Sequence, residues 1–265
     1  MKILLFQVDA FTQNVFGGNP AAVCVLEQWF PDTVLQNIAL ENNLAETAFF
    51  APSHDPAYDY HLRWFTPTTE VDLCGHATLA SAYVIFEELH FKKTEIRFQS
   101  RSGLLSVQKS THGYTLNFPE WDYTVREDVS EIEAILELKV QAVLQNAKTF
   151  AILDVTPETI KNFIPDISKI KTLKNTLGLV ITARGKGDID FVSRYFGPQL
   201  GIDEDPVTGS THCFLAPYWG KILGKIEMRA QQLSARGGNL FLELKDNRVH
   251  ISGHAVLYLK GEILV

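Results

Sequence analysis

RWFTPTTEVDLCGHAT, residues 63 to 78, is the stretch that decides the fold, because an altered copy returns as RYFGPQLGIDEDPVTGST over residues 194 to 211. A spacing of 131 residues sets Asp59 on Asp190, Arg63 on Arg194, Phe65 on Phe196, Pro67 on Pro198 and Asp72 on Asp203. Unrelated sequence of ordinary composition supplies about one identity in such a window. The same spacing sets Cys74 against Asp205. Three extra residues then enter the second copy, and Gly75-His76-Ala77 realigns with Gly209-Ser210-Thr211. A unit this long is a duplicated domain, since solenoid repeats are far shorter.

Outward from this stretch, residues 58 to 65 alternate as a strand, and ATLASAYVIFEEL (77 to 89) is apolar nearly all round, which predicts a buried central helix. THCFLAPYWGKIL (211 to 223) is its second copy, and Pro217 predicts a bend in it. Pro31-Asp32 opens a helix that Asn42-Asn43 ends, and Pro157-Glu158 opens its equivalent. Glu46 leads an apolar strand, ETAFF, whose partner at the same spacing begins at Leu177. The reading is an α/β (α+β) chain of two pseudo-symmetric domains, 1 to 122 and 123 to 265. A ligand cleft is expected between them.

The 265 residues suit two domains of ordinary size, and 46% hydrophobic with 21% charged residues is a globular composition. A net charge of −7 argues against nucleic acid or an anionic membrane as partner, because either needs a basic surface. Cys24, Cys74 and Cys213 form no CxxC pair and read as reduced thiols of a cytoplasmic protein. The N-terminal apolar run turns polar at Gln7, too early for a signal peptide, and no run suits a membrane span.

Each copy places a glycine turn before its buried helix, exposing free N–H groups and the positive end of the helix dipole. Two such ends suit an anion, above all a carboxylate. Chemistry belongs where the copies differ: Glu46 against Leu177, Cys74 against Asp205, His76 against Ser210. Taken singly, Glu46 also reads as a surface or capping residue, Asp205 as a turn residue before Pro206, and His76 as a structural histidine. His250 and His254 are spaced i, i+4, but Gly253 and strand-like surroundings oppose a helical metal site, so no metal is expected. No GxGxxG, phosphate loop or GxSxG elbow is present in the sequence.

VDAFTQNVFGGNPAAV (8 to 23), LAETAFF (44 to 50), RWFTPTTEVDLCGHATLASA (63 to 82) and GIDEDPVTGST (201 to 211) together resemble the phenazine-biosynthesis-like PhzF isomerase family, within the diaminopimelate-epimerase fold group. The resemblance implies two domains, each a mixed or antiparallel sheet wrapped around a central helix, an active site between them, a homodimer and no cofactor. It carries the general acid/base onto Glu46, further catalytic roles onto His76 and Asp205, and substrate binding onto Gly75, Gly209, Ser210 and Asn19. The related epimerases use two cysteines. Here only Cys74 is present and Asp205 stands at the other place, so a single carboxylate shuttle fits better than two-thiol racemisation.

The expected activity is cofactor-independent isomerisation of a small carboxylate-bearing substrate. Glu46 removes a proton and returns it elsewhere on the same face, its pKa raised by burial. Two alternatives stay open: a non-catalytic binder of small acids on the same scaffold, and a Cys74-dependent epimerase.

Overall fold

The computed structural model describes residues 2 to 265; Met1, where the expected first domain begins, lies outside the described residues. The described residues form two compact units, 2–118 with His250–Val265, and Pro119–Val249.

In the first unit β1 (Lys2–Ala10) pairs antiparallel with β2 (Asn19–Val25), and α1 (Asp32–Asn42) leads into β3 (Glu46–Pro52). β3 lies parallel to β2 and antiparallel to β4 (Tyr60–Phe65), which carries a short return strand, β5 (Glu70–Val71). α2 (Gly75–Tyr83) follows and continues as a π-helical turn over Val84–Glu88. β6 (Glu95–Ser100), parallel to β4, then leads to β7 (Gly103–Ser110) and β8 (Gly113–Pro119).

α2 is the central element because Gly75 through Ala82 are all buried. Its small side chains, with no polar stripe, allow contact with β1, β2 and β3 together. The buried hydroxyls of Thr78 and Ser81 donate back to the carbonyls of Cys74 and Ala77, so they cost no orphaned polar group.

The second unit holds β9 (Thr124–Arg126), α3 (Ser130–Leu136), β10 (Ala142–Gln145) and β11 (Thr149–Leu153). α4 (Pro157–Asn162), capped by the Thr156 side chain, and α5 (Ile167–Lys171) precede β12 (Leu179–Arg184), which is parallel to β11. β13 (Phe191–Gly197), β14 (Ile202–Asp205), α6 (His212–Leu223), β15 (Glu227–Gln232) and β16 (Gly238–Lys245) complete it. α6 runs unbroken through Pro217, and Gly209–Thr211 before it is a 3-10 turn, not its first α-turn.

The chain ends in β17 (Arg248–Gly253) and β18 (Ala255–Leu264). His250 therefore sits in a strand and His254 just beyond it, without the shared helical face a metal pair would need. β18 pairs antiparallel along all of β1, from Lys2 opposite Leu264 to Ala10 opposite Ala255. The last residues thus join the first unit, not the second as the division at 122/123 supposed. The reason is that β1 has a free edge on the side away from β2, and β18 covers it.

The duplication is visible in paired contacts. Lys93 bonds Asp59 and Lys225 bonds Asp190, both at 2.5 Å, while the Arg97 and Arg229 amides donate to the same two carboxylates at 2.8 Å. Arg63 grips Glu70 with two nitrogens, and Arg194 grips Glu204 in the same way.

These pairs correct the sequence alignment. Trp64 lies opposite Val71, and its counterpart Tyr195 lies opposite Asp205. The three extra residues therefore enter before Glu204, at the Pro198–Leu200 turn and left-handed Gly201, so Asp205 corresponds to Val71. Cys74 corresponds to Thr208: Thr78 bonds the Cys74 carbonyl, as His212 bonds that of Thr208. Likewise Thr47 faces Phe65 and Leu179 faces Phe196, which makes Gly178, not Leu177, the counterpart of Glu46.

Candidate active site

In the first unit Asn19 and Glu46 begin the neighbouring strands β2 and β3, where Ala21 is paired with Glu46, and His76 lies in the first turn of α2. His76 is 4% exposed. Its Nε2 stands 3.2 Å from Glu46 Oε2, and its Nδ1 stands 3.2 Å from Asn19 Nδ2 and 3.5 Å from Cys74 Sγ. With the Asn19 amide donating to Nδ1, the ring proton belongs on Nε2, facing the carboxylate. The Nε2 and Oε2 atoms approach closely without the alignment of a full hydrogen bond.

Burial pushes the His76 pKa down to about 3. The imidazole is therefore neutral near pH 7, and its contact with Glu46 is a polar N–H facing a carboxylate, not an ion pair. This neutral donor can steady Glu46 without taking over its charge. Glu46, Cys74 and His76 each present a donor atom within 4.8 Å of the others, so together they could hold a metal ion. Cys74 and Glu46, however, face different ring nitrogens, an arrangement that suits a hydrogen-bonded row.

The second unit assembles a different set. Asp205, 7% exposed, accepts a short hydrogen bond from the Thr208 hydroxyl. Gln232 locks this corner, donating to the Asp205 carbonyl at 2.7 Å and accepting from the Thr208 amide at 2.8 Å. Gly209 and Ser210 follow in the 3-10 turn, and Lys148 Nζ donates to Ser210 Oγ at 2.9 Å. His212 donates from Nδ1 to the Thr208 carbonyl at 3.0 Å, and burial pushes its pKa down to about 4.

The expected residues thus fall into two groups: Asn19, Glu46, Gly75 and His76 in one unit, and Asp205, Gly209 and Ser210 in the other. Asn19, expected at the substrate, has its amide nitrogen 3.2 Å from His76 Nδ1. Lys148 was missed. Its signal was a lone cation leading the apolar strand TFAIL (149 to 153), which a duplicated sheet makes conspicuous. Thr208 was hidden by the misplaced insertion and Gln232 by its distance in sequence.

The buried neutral histidines make stability fall in mild acid. Below pH 6.5 the unfolded chain gains imidazole protons that folded His76 and His212 refuse until about pH 3 and 4. Unfolding free energy therefore drops as pH falls from 6.5 toward 4, by up to about 1.4 kcal/mol per pH unit for each. His212→Asn, which keeps a donor for Thr208, is expected to remove one such contribution. Urea midpoints at pH 7, 6 and 5 check this, and parallel curves for the variant and the parent would refute it.

Duplicated α/β halves with glycine turns before buried helices define an epimerase-like fold. A hydroxyproline epimerase structure from Agrobacterium vitis shares it, with a TM-score of 0.63 and 11% identity over 99% of this chain and 92% of that one. Within that fold, the chain belongs to the phenazine biosynthesis-like protein family, whose model matches residues 8–261. It is similar to a Pseudomonas aeruginosa protein named an uncharacterized isomerase, 45% identical over 99% of each chain. It is also similar to the crystal structure of a PhzF-family phenazine biosynthesis protein from Enterococcus faecalis, with a TM-score of 0.95 and 46% identity over the whole of both chains. Among the described residues no helix is long and apolar enough to cross a membrane.

Proposed function

We propose that the chain is an isomerase that moves a proton within a small carboxylate-bearing substrate, with Glu46 as general acid/base. The observation that carries this reading is Glu46 Oε2 standing 3.2 Å from Nε2 of a buried, neutral His76. A carboxylate at a strand start, largely buried beside a fixed N–H donor, can accept a proton from carbon and release it again. The relatives' names, which include an isomerase, support the same class.

In the step proposed, the Glu46 carboxylate takes a proton from a carbon activated by an adjacent unsaturated group. The C–H electron pair moves into that group, and Glu46, now protonated, delivers the proton to another carbon as the double bond shifts. Atoms and electrons balance with no oxidant, reductant or cofactor. His76 stays neutral throughout and keeps its Nε2 beside the carboxylate oxygen, 3.2 Å away. α2 begins at Gly75, and the backbone N–H groups of its first turn, which have no acceptor within the helix, can meet developing negative charge.

The test is a screen of small carboxylic acids with the full chain in deuterated water, read by mass spectrometry. Deuterium uptake that depends on Glu46 is expected. Saturable binding without exchange would favour a binding protein. A second reading has one observation behind it: Cys74 Sγ lies 3.5 Å from His76 Nδ1, within reach of a thiol that could itself move protons. Cys74→Ser is expected to keep exchange within about threefold of the parent, because no step above uses the thiol. Loss of a hundredfold or more would transfer the role to Cys74.

A further inference from the structure

Lys148 is 6% exposed, and no carboxylate among the described residues lies within ion-pair distance of it. Its ammonium donates once, to Ser210 Oγ at 2.9 Å, and lies over the Trp121 and Tyr195 rings, 5.1 and 5.2 Å from their centroids. Burial lowers its pKa to about 8. The titratable groups whose charge it feels are Asp205, Cys213 and His212. Asp205 is engaged by Thr208, and burial pushes the Cys213 thiol up to about 12, leaving it neutral.

A buried cation with so little compensation is costly unless it serves something. The fold does not require it. Strand register makes Ala21 the counterpart of Lys148 in the first unit, because Ala22 lies opposite Thr47 as Thr149 lies opposite Leu179. Two residues earlier, Asn146 matches Asn19, and its side chain accepts from the Lys148 amide at 2.9 Å, fixing the start of the lysine's strand. The first unit therefore places a carboxylate, Glu46, beside His76 in the first turn of its helix, and the second places an ammonium beside the matching residue, Ser210.

We propose that Lys148 and Ser210 form a carboxylate-binding site in the second unit, with Lys148 as its cation. The ammonium keeps two N–H groups beyond the one given to Ser210. The Ser210 hydroxyl, having accepted from Lys148, has its own O–H to give. Ser210 is only half-buried, which leaves part of the pair open to solvent. Donors from the two neighbouring side chains can serve the two oxygens of one carboxylate. The Trp121 and Tyr195 faces exclude water from the ammonium and strengthen its attraction for the anion. The ligand class rests on the reading that the substrate is a small carboxylic acid.

Succinate, with succinamide as its uncharged twin, is the probe, measured by calorimetry on the full chain near pH 7. Succinate is expected to bind and succinamide not. Lys148→Met, which keeps the stem among the aromatic rings, is expected to weaken succinate at least tenfold. Independently of any variant, the Lys148 side-chain carbon-13 titration of the parent is expected to move up by at least one pH unit in saturating succinate. Equal affinity in Lys148→Met, a Lys148 titration that ignores succinate, or no binding by the parent would each overturn the site. Such a failure leaves Glu46-dependent exchange standing, and loss of the Glu46 role leaves succinate binding standing.

Discussion

Glu46→Gln is expected to lower proton exchange and turnover by about 10³-fold, within the range that removal of a general acid/base produces. Glutamine has nearly the same shape, and its amide oxygen can take the place of the carboxylate oxygen that lies 3.2 Å from His76 Nε2. What it loses is the ability to hold a proton taken from carbon. The loss should therefore fall on kcat, with KM changed little, because the step removed belongs to the transition state. Urea stability of the variant should stay close to that of the parent, since β3 and its pairings with β2 and β4 do not depend on the charge. His76→Asn removes the ring that steadies the carboxylate and is expected to cost less than Glu46→Gln.

Arg194→Met is expected to cost about 3 kcal/mol of unfolding free energy, the size typical when one partner of a buried, hydrogen-bonded charge pair is removed. The Arg194 side chain is 8% exposed and its two-point grip on Glu204 is joined by bonds from Nη1 to the carbonyls of Ile160 and Phe163. Methionine fills much of the space but takes the guanidinium away from Glu204 and from the Phe163 carbonyl, while the Ile160 carbonyl keeps the Phe163 amide. Arg63→Met, the matching change in the first unit, is expected to cost less. There the partly buried Glu70 keeps a second guanidinium, that of Arg101 at 2.6 Å, and the other bond of Arg63 goes to an exposed Asp32, where an ion pair contributes little. Urea unfolding followed by circular dichroism measures both. Equal losses would mean that the carbonyl contacts of Arg194 contribute nothing.

Much of the fold was legible because the repeat carries its own check. The strand around Arg63, the buried helix after Gly75 and their second copies follow from identities that survive duplication, and α2 follows from its unbroken run of apolar and small residues. The insertion was placed wrongly because Asp72 and Asp203 match by chance, whereas the Arg194–Glu204 pair and the strand register hold the true alignment. β18 could not be foreseen as part of the first unit, since its pairing with β1 joins the two ends of the sequence and leaves no local pattern.

The candidate site was legible in part for a similar reason. Glu46 stands out as a carboxylate opening an apolar strand and His76 as a histidine in a helix's first turn, but their 3.2 Å contact depends on how α2 lies across the start of β3. Lys148 carries the same kind of signal as Glu46 with opposite charge. It becomes conspicuous only once register shows that Ala21 occupies its place in the other copy.

The most direct measurement of the central claim is label transfer within one molecule. An acid found in the exchange screen is deuterated at its reactive carbon and converted in ordinary water under single-turnover conditions. A single carboxylate that takes and returns the same proton predicts that part of the deuterium reappears on the second carbon, with both transfer and turnover lost in Glu46→Gln. Turnover by Glu46→Gln at the parent's rate, or product carrying only solvent hydrogen at that carbon, would contradict it.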